Sequence, residues 1–351
     1  LIRQINSLTR PVPSISANAI AIAVYADSSG SLVTAKEAGF EGVACVDDAA
    51  RGLELYCALW SRTRGAWAQR WCEGLLEFVL SMQQPNGQWI NFIRDWDGST
   101  NTESRTSLAG GQFWHARAML ALARAHHHFQ DERITHALRQ GLTYLVDSDA
   151  PPDVRALHVL AATELHGTLD VDWESLIDGW CDEIIELREG ETLMNSPDER
   201  GAPHLWGHTQ ESALAQASVA LGRHDLLDVA VRSASTVFDD VIESGFARAS
   251  TSAYDVATAV LTMATLARVT KDDAYEKKAA LARAWFHGRN SAGVAVYDQR
   301  TGRVSDGIDD GELNENSGAE SNIEGGLALV DEVAEFSKKL DADSLGPPRD
   351  R

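Results

Sequence analysis

From residue 47 onward apolar residues return at the helical period of 3.6 with scarcely a break, and the helix-like stretches are of two alternating kinds. One kind follows a polar, Gly- or Pro-rich loop and is built from small residues. It comprises the runs ARAMLALARA, DVRALHVLAATEL, ESALAQASVAL and DVATAVLTMATLA, with the helices that open at Asp47 and after Gly318. The other kind is longer, amphipathic and more charged, as in ERITHALRQGLTYLVD and DAYEKKAALARAWFHG. Helices of small side chains pack closely inside a fold, whereas an amphipathic helix suits an outer layer with one wet face. Their alternation, with the length variation confined to the loops, is the pattern of stacked helical hairpins. The predicted fold is therefore all-α, an (α/α)6 toroid, in a single domain over residues 1–340. Residues 1–41, with Pro11, Pro13 and a Ser/Gly turn, read as an irregular segment of one short helix, an extended stretch and a loop. The sixth outer helix is sought there, and residues 341–351 read as a disordered tail.

Chain direction decides where chemistry can sit. The long polar loops 84–109, 189–207, 243–253 and 289–317 all precede small-residue helices, so in a toroid they gather at one mouth ringed by helix amino ends. Free backbone N–H groups there favour oxygen-rich ligands. Reading the helix starts in turn gives Asp47, Asp48 and Arg51; Trp114, His115 and Arg117; Asp153 and Arg155; Trp206, His208 and Glu211; Tyr254 and Asp255; and Asn316, Glu320 and Ser321. A single Asp at such a position is also an ordinary N-cap. The collective pattern is more specific, because a Trp face matches the C–H face of a pyranose. Ring closure sets the first inner helix beside the sixth, which brings Glu320 opposite Asp47 or Asp48. Two carboxylates in different surroundings divide the acid and base roles of glycoside cleavage. The expected catalytic residues are Glu320, Asp48 and Asp47. Trp114, His115, Trp206, His208, Tyr254, Asp255, Asp306, Asn316 and Arg51 are expected to bind substrate. Arg51, one turn after the aspartates, is expected to turn aside and brace one of them. The competing reading of the same residues is a salt-bridge network in which Arg51 or Arg117 neutralises the aspartates.

Composition excludes several partners. With 52 acidic and 31 basic side chains the formal charge is −21, which repels nucleic acid and anionic membranes. The four cysteines show no CxxC spacing and read as buried thiols of a reducing, cytoplasmic compartment rather than zinc ligands. The longest apolar run near the start, Ala17 to Tyr25, is too short to span a bilayer. Because the chain opens at Leu1, it reads as a fragment or a processed product. His204, His208 and Glu211 approach metal-ligand spacing, but Gly207 separates the histidines, so no metal is expected. The segment DWDGSTN lacks the later ligands of a calcium loop, and no cofactor is expected.

Three segments, GVACVDDAARGLELYCALW, NGQWINFIRDWDG and VYDQRTGRVSDGIDDGELNENSGAESNIEGGLAL, carry a family resemblance from about Gly42 to Leu329. The chain resembles the six-hairpin toroids found beside, or fused to, bacterial and archaeal glycosyltransferases, a branch of the (α/α)6 glycosidase-like superfamily. Members carry DDNAR at the first inner helix, whereas this chain has DDAAR, with Ala49 in place of the Asn. The resemblance implies a carbohydrate ligand and a glycosyltransferase partner, and it matches Asp48, Arg51, Asp306, Asn316 and Glu320 to family positions without a settled reaction. FVLSMQQPNGQW also fits one copy of the QW repeat of triterpene cyclases, but their DxDD motif is missing. The expected function is inverting hydrolysis of an oligosaccharide or polysaccharide. The alternatives are a non-catalytic glycan-binding or scaffold domain serving a glycosyltransferase, a sugar epimerase using His115 and His208, and a terpene-cyclase-like toroid.

Overall fold

The computed structural model describes residues 1–27, 29–33, 41–108, 110, 112–147, 149–340 and 345–348. They fall into two compact units, one built from residues 1–147, 297–306 and 315–351, the other from 148–296 and 307–314. The first unit opens with α1 (Ile2–Leu8), α2 (Val46–Thr63), α3 (Ala66–Ser81), α4 (Gln112–His126) and α5 (Glu132–Asp147). The second carries α6 (Pro152–Leu165), α7 (Trp173–Glu186), α8 (Gln210–Leu221), α9 (His224–Glu243), α10 (Ala253–Thr270) and α11 (Asp273–Arg283), the last running into a 3-10 turn. The chain then returns to the first unit with α12 (Ala319–Ala328) and α13 (Val330–Ser337). All six expected small-residue helices form, as α2, α4, α6, α8, α10 and α12. The single helix expected over 318–338 is broken at Leu329, where φ −106° and ψ 21° interrupt the helix.

In the first unit α2 is the central helix, packed on α3, α4, α12 and α13. Cys45, in extended conformation, caps it by accepting the Asp48 N–H at its sulfur, and Asp47 and Asp48 in the first turn suit the positive end of the helix dipole. The short strands β1 (Thr9–Pro11) and β2 (Ile20–Ile22) pair antiparallel beneath it, so the opening segment holds the helix and extended stretch its sequence indicates. Another antiparallel pair, β3 (Ala44–Cys45) with β4 (Phe92–Ile93), fixes the entry to α2. Asn91, just before β4, accepts the Asp47 N–H at its side-chain oxygen and the Val46 N–H at its carbonyl. Along the α2–α4 contact Asp47 pairs with Arg117 and, two turns on, Glu54 pairs with Arg124. Of the expected tail, Leu345 is buried and its carbonyl accepts from the Trp71 indole at 2.8 Å; residues 341–344 and 349–351 lie outside the described residues.

The second unit repeats the plan, with α8 packed on α6, α9 and α10. Strands β5 (Arg188–Glu189) and β6 (Thr192–Leu193) form a hairpin in the loop before α8. Strand β7 (Ser250–Ser252) leads into α10, whose start is a capping box between Ser252 and Asp255. After β8 (Tyr297–Asp298) and β9 (Arg303–Val304) of the first unit, β10 (Gly307–Asp309) and β11 (Glu312–Asn314) complete a three-stranded sheet in the order β11-β10-β7. Gly307 is required there, since a Cβ at that position would sit 2.2 Å from the Thr251 carbonyl oxygen.

The start of α12 hangs on one buried amide. Asn322 donates to the Gly318 carbonyl at 2.7 Å and the Ser317 hydroxyl at 2.9 Å, and accepts the Val304 N–H at 3.0 Å. Asn322→Ala is predicted to destabilise the protein by about 2–4 kcal/mol, because it strands buried partners rather than removing one exposed bond. A urea midpoint within error of wild type would refute this role.

Candidate functional site

In the first unit one guanidinium gathers the charged mouth residues. Arg51 Nη2 bonds Asp48 Oδ1 at 2.6 Å and lies 3.6 Å from Asp47, while Nη1 bonds Glu320 at 3.0 Å and Glu324 at 3.1 Å. Residues far apart in sequence thus meet because α12 packs on α2. The expectation that Arg51 braces a single aspartate is corrected, since it serves four carboxylates. Arg117, reaching from α4, takes Asp47. Four carboxylates therefore face two guanidiniums, and the excess negative charge must be held in a buried place.

Burial and pairing divide those carboxylates. Burial raises Asp47, but Arg117 and Arg51 outweigh it and hold its pKa below the ordinary value. Asp48, 2 % exposed, is pushed up to about 6 by burial, against Arg51 and with help from Asp47 and Glu320. Glu324 is pushed up to about 7 by burial against Arg51 and Arg117. Burial alone would lower Arg51, yet the surrounding carboxylates raise it well above its ordinary value. The Glu320 side chain is 51 % exposed, which makes it the accessible member. Tyr25 adjoins this group, its phenol raised to about 12 by burial and then by Cys45, Asp48, Glu41 and Glu320. Sequence reasoning missed Tyr25 and Glu324. The i, i+4 relation of Glu324 to Glu320 could have found the latter.

The second unit holds a separate cluster. Trp206, 41 % exposed, stacks on the His204 ring with centroids 4.0 Å apart and planes 9° apart, and Tyr254 lies 6.5 Å from the indole. Asp153 comes within 3.8 Å of His204 Nε2; burial first, opposed by a backbone hydrogen bond from Val154, pushes its pKa up to about 6. Behind them His208 and Glu211, both 0 % exposed, are bonded at 3.0 Å. An exposed indole braced by a stacked ring can hold a sugar against its apolar face.

The remaining expected binders are placed as follows. His115 is buried against Trp89 and Tyr144, bonds the Gly141 carbonyl through Nε2, and is lowered to about 4 by burial. Trp114 is half-buried and donates to the Trp89 carbonyl. Asp255 is occupied as the α10 cap, and Asp306 caps α12 by accepting from Gly318 N–H and Ser321 Oγ. Asn316 is exposed, and its carbonyl accepts from Asp306 N–H. The Gln83–Trp89 element of the QW-like segment is mechanical, with Gln83 tied to the Gly87 and Ala137 carbonyls and Trp89 to Val79. Among the described residues no helix is long and apolar enough to cross a membrane.

No protein-family model matches the chain, and no curated protein matches it in sequence. Solved structures do match over nearly its whole length. A sugar epimerase from a ruminal bacterium is 13 % identical with a TM-score of 0.67, covering 97 % of this chain and 98 % of its own. A D-mannose isomerase is 11 % identical with a TM-score of 0.68 and 95 % of each chain covered. The GH76 α-mannanase of Bacteroides thetaiotaomicron is 11 % identical with a TM-score of 0.57, covering 84 % of this chain and 87 % of its own. The fold is an (α/α)6 toroid. Its solved neighbours are carbohydrate-active enzymes of the six-hairpin, glycosidase-like kind.

The proton distribution in this toroid has a stability signature. Asp48 and Glu324 hold protons in the native state at pH values where the unfolded chain has released them, so stability falls as pH rises from the ordinary carboxylate range through their native values. Asp47 acts in the opposite sense, and only in more acidic solution. The contribution of these two carboxyls to stability is predicted to fall between about pH 4 and about pH 8, and Glu324→Gln to remove on the order of 3 kcal/mol of that pH dependence relative to wild type. Parallel urea-midpoint profiles for the two proteins would refute the placement of that proton.

Proposed function

We propose that this toroid is a glycoside hydrolase that cleaves an uncharged oligosaccharide with inversion, using the Arg51-centred carboxylates of the first unit. The observation that carries the reading is the split in proton affinity within one cluster: Asp47 held ionised, Asp48 raised to about 6, and Glu320 half exposed beside them on the same guanidinium. Carboxylates pushed apart in this way supply an acid and a base at once. Asp48, the proton-bearing partner, is assigned to the leaving oxygen. Glu320, accessible and oriented by Arg51, is assigned to the attacking water. Asp47 stays ionised and stabilises positive charge on the sugar ring. Both arginines are already matched by carboxylates and the chain is strongly acidic, so neutral sugars are favoured over uronates or sugar phosphates.

Two observations favour other readings. The hold of Arg51 and Arg117 on these carboxylates suits a glycan-binding domain, one that works with a glycosyltransferase. The His204–Trp206 stack beside Asp153, together with the likeness to an epimerase and an isomerase, suits sugar epimerisation. The pairing of His115 with His208 does not supply that chemistry, because His115 is buried against the Gly141 carbonyl.

Incubation with a library of neutral oligosaccharides, read by mass and by anomeric NMR, separates the three. Shorter products of inverted configuration are predicted, with Glu320→Gln slowing turnover by about 10²-fold or more at unchanged urea midpoint. An isomer of unchanged mass would favour the epimerase, retention alone the binding domain, and unchanged turnover in the variant would remove Glu320 from the mechanism.

A further inference from the structure

The loop between β6 and α8 carries the exposed stack of the second unit, and a single buried residue ties that loop together and to the starts of α6 and α8. Asn195 is 1 % exposed. Its Nδ2 donates to the His204 carbonyl at 2.9 Å and to Glu199 at 3.3 Å, its backbone N–H donates to Glu199 at 3.0 Å, and Glu199 in turn accepts the His204 N–H at 2.9 Å. Its Oδ1 accepts from Gln210 Nε2 at 2.8 Å and meets His208 Nδ1 at 2.6 Å. Its carbonyl accepts the Asp153 N–H at 3.3 Å, at the start of α6.

The amide orientation follows from its partners, because a backbone carbonyl only accepts and so Nδ2 must face His204. His208 Nδ1 must then donate to Oδ1, which leaves Nε2 to share a proton with Glu211 Oε1 at 3.0 Å. Ser233 Oγ donates to that same oxygen at 2.5 Å and fixes the carboxylate. The imidazole is thus clamped at both nitrogens in a fully buried setting, and Asn195 transmits that fixed frame to the two backbone groups of His204. A residue held at both ends in this way locks the rotamers of what it supports.

We propose that Asn195, anchored by the His208–Glu211 pair, is a positioning residue that sets the pose of the His204–Trp206 stack as a platform for a neutral saccharide. The proposal rests on the carbohydrate reading above but not on the hydrolytic residues of the first unit. Asn195 touches no sugar. It holds the backbone at His204, so that the imidazole lies flat against the indole of the partly exposed Trp206. Asn195→Asp separates the two halves of its role, since the carboxylate still accepts from His208 and Gln210 while the donor to His204 is lost and Glu199 is repelled.

The test uses the full chain labelled with 5-fluorotryptophan, the Trp206 resonance being identified by its loss in Trp206→Phe. Asn195→Asp is expected to shift or broaden the Trp206 resonance and leave those of buried Trp180 and Trp285 in place. It is also expected to weaken, about tenfold, the shift that neutral oligosaccharides such as manno- or cello-oligosaccharides induce in that resonance. Asn195→Ala should do the same where it folds. A Trp206 resonance unchanged in Asn195→Asp would overturn the positioning role. A wild-type resonance indifferent to every neutral oligosaccharide would overturn the platform, whereas the hydrolytic reading is judged separately by Glu320→Gln.

Discussion

A buried guanidinium among four carboxylates is the interaction on which the first unit depends. Arg51 is nearly inaccessible, and an unpaired charge in such a place would be expelled or neutralised. Its planar fork instead offers separate N–H groups to α2 and α12, joining Asp48 on its own helix to Glu320 and Glu324 on the other. A lysine could not make these contacts at once. Because negative charge still exceeds positive, the cluster settles by retaining protons on its most buried members, Asp48 and Glu324, while Asp47 is kept ionised by a second arginine. Stability and acid–base capacity are therefore two consequences of the same electrostatics.

The two units solve a common problem in a similar way. Each must hold the amino end of a small-residue helix in place while long polar loops approach it. In the first unit Asn91 meets the first N–H groups of α2 and ties them to the carbonyl of Thr106. In the second, Asn195 ties the start of α6 and the buried histidine before α8 to the loop that displays Trp206. An asparagine suits both places because its amide donates and accepts at once without bringing in another charge. The helix rows are rigid packing, and the asparagines convert that rigidity into the placement of side chains at the helix mouths.

Much of this was legible in the sequence because two periodicities coincide: the helical repeat of apolar residues, and the alternation of small-residue with amphipathic helices. That pattern located all six helix starts and brought Glu320 to Asp48 across most of the chain. The sharing of Arg51 was not legible, because spacing shows that Arg51 can reach Asp48 but not that α12 presents two glutamates to its far side. Glu324 was hidden in an apolar run. Asn195 was hidden in a polar loop, where one amide looks like any other until its partners are known. The pattern of helix starts makes His115 and Asp255 ligand-facing candidates, whereas burial takes the one and helix capping the other. Residue type marks a helix start, but rotation about the helix axis decides which side chains are turned inward.

The central claim is that Arg51 and burial distribute protons unequally over neighbouring carboxylates. The most direct measurement is the titration of the individual side-chain carboxyls by ¹³C NMR, with Asp47, Asp48 and Glu324 assigned from single Asn or Gln substitutions. The account predicts a midpoint of about 6 for Asp48 and about 7 for Glu324, with Asp47 remaining ionised below the ordinary aspartate range. Titration of all three together near pH 4, the ordinary range for carboxylates, would contradict it.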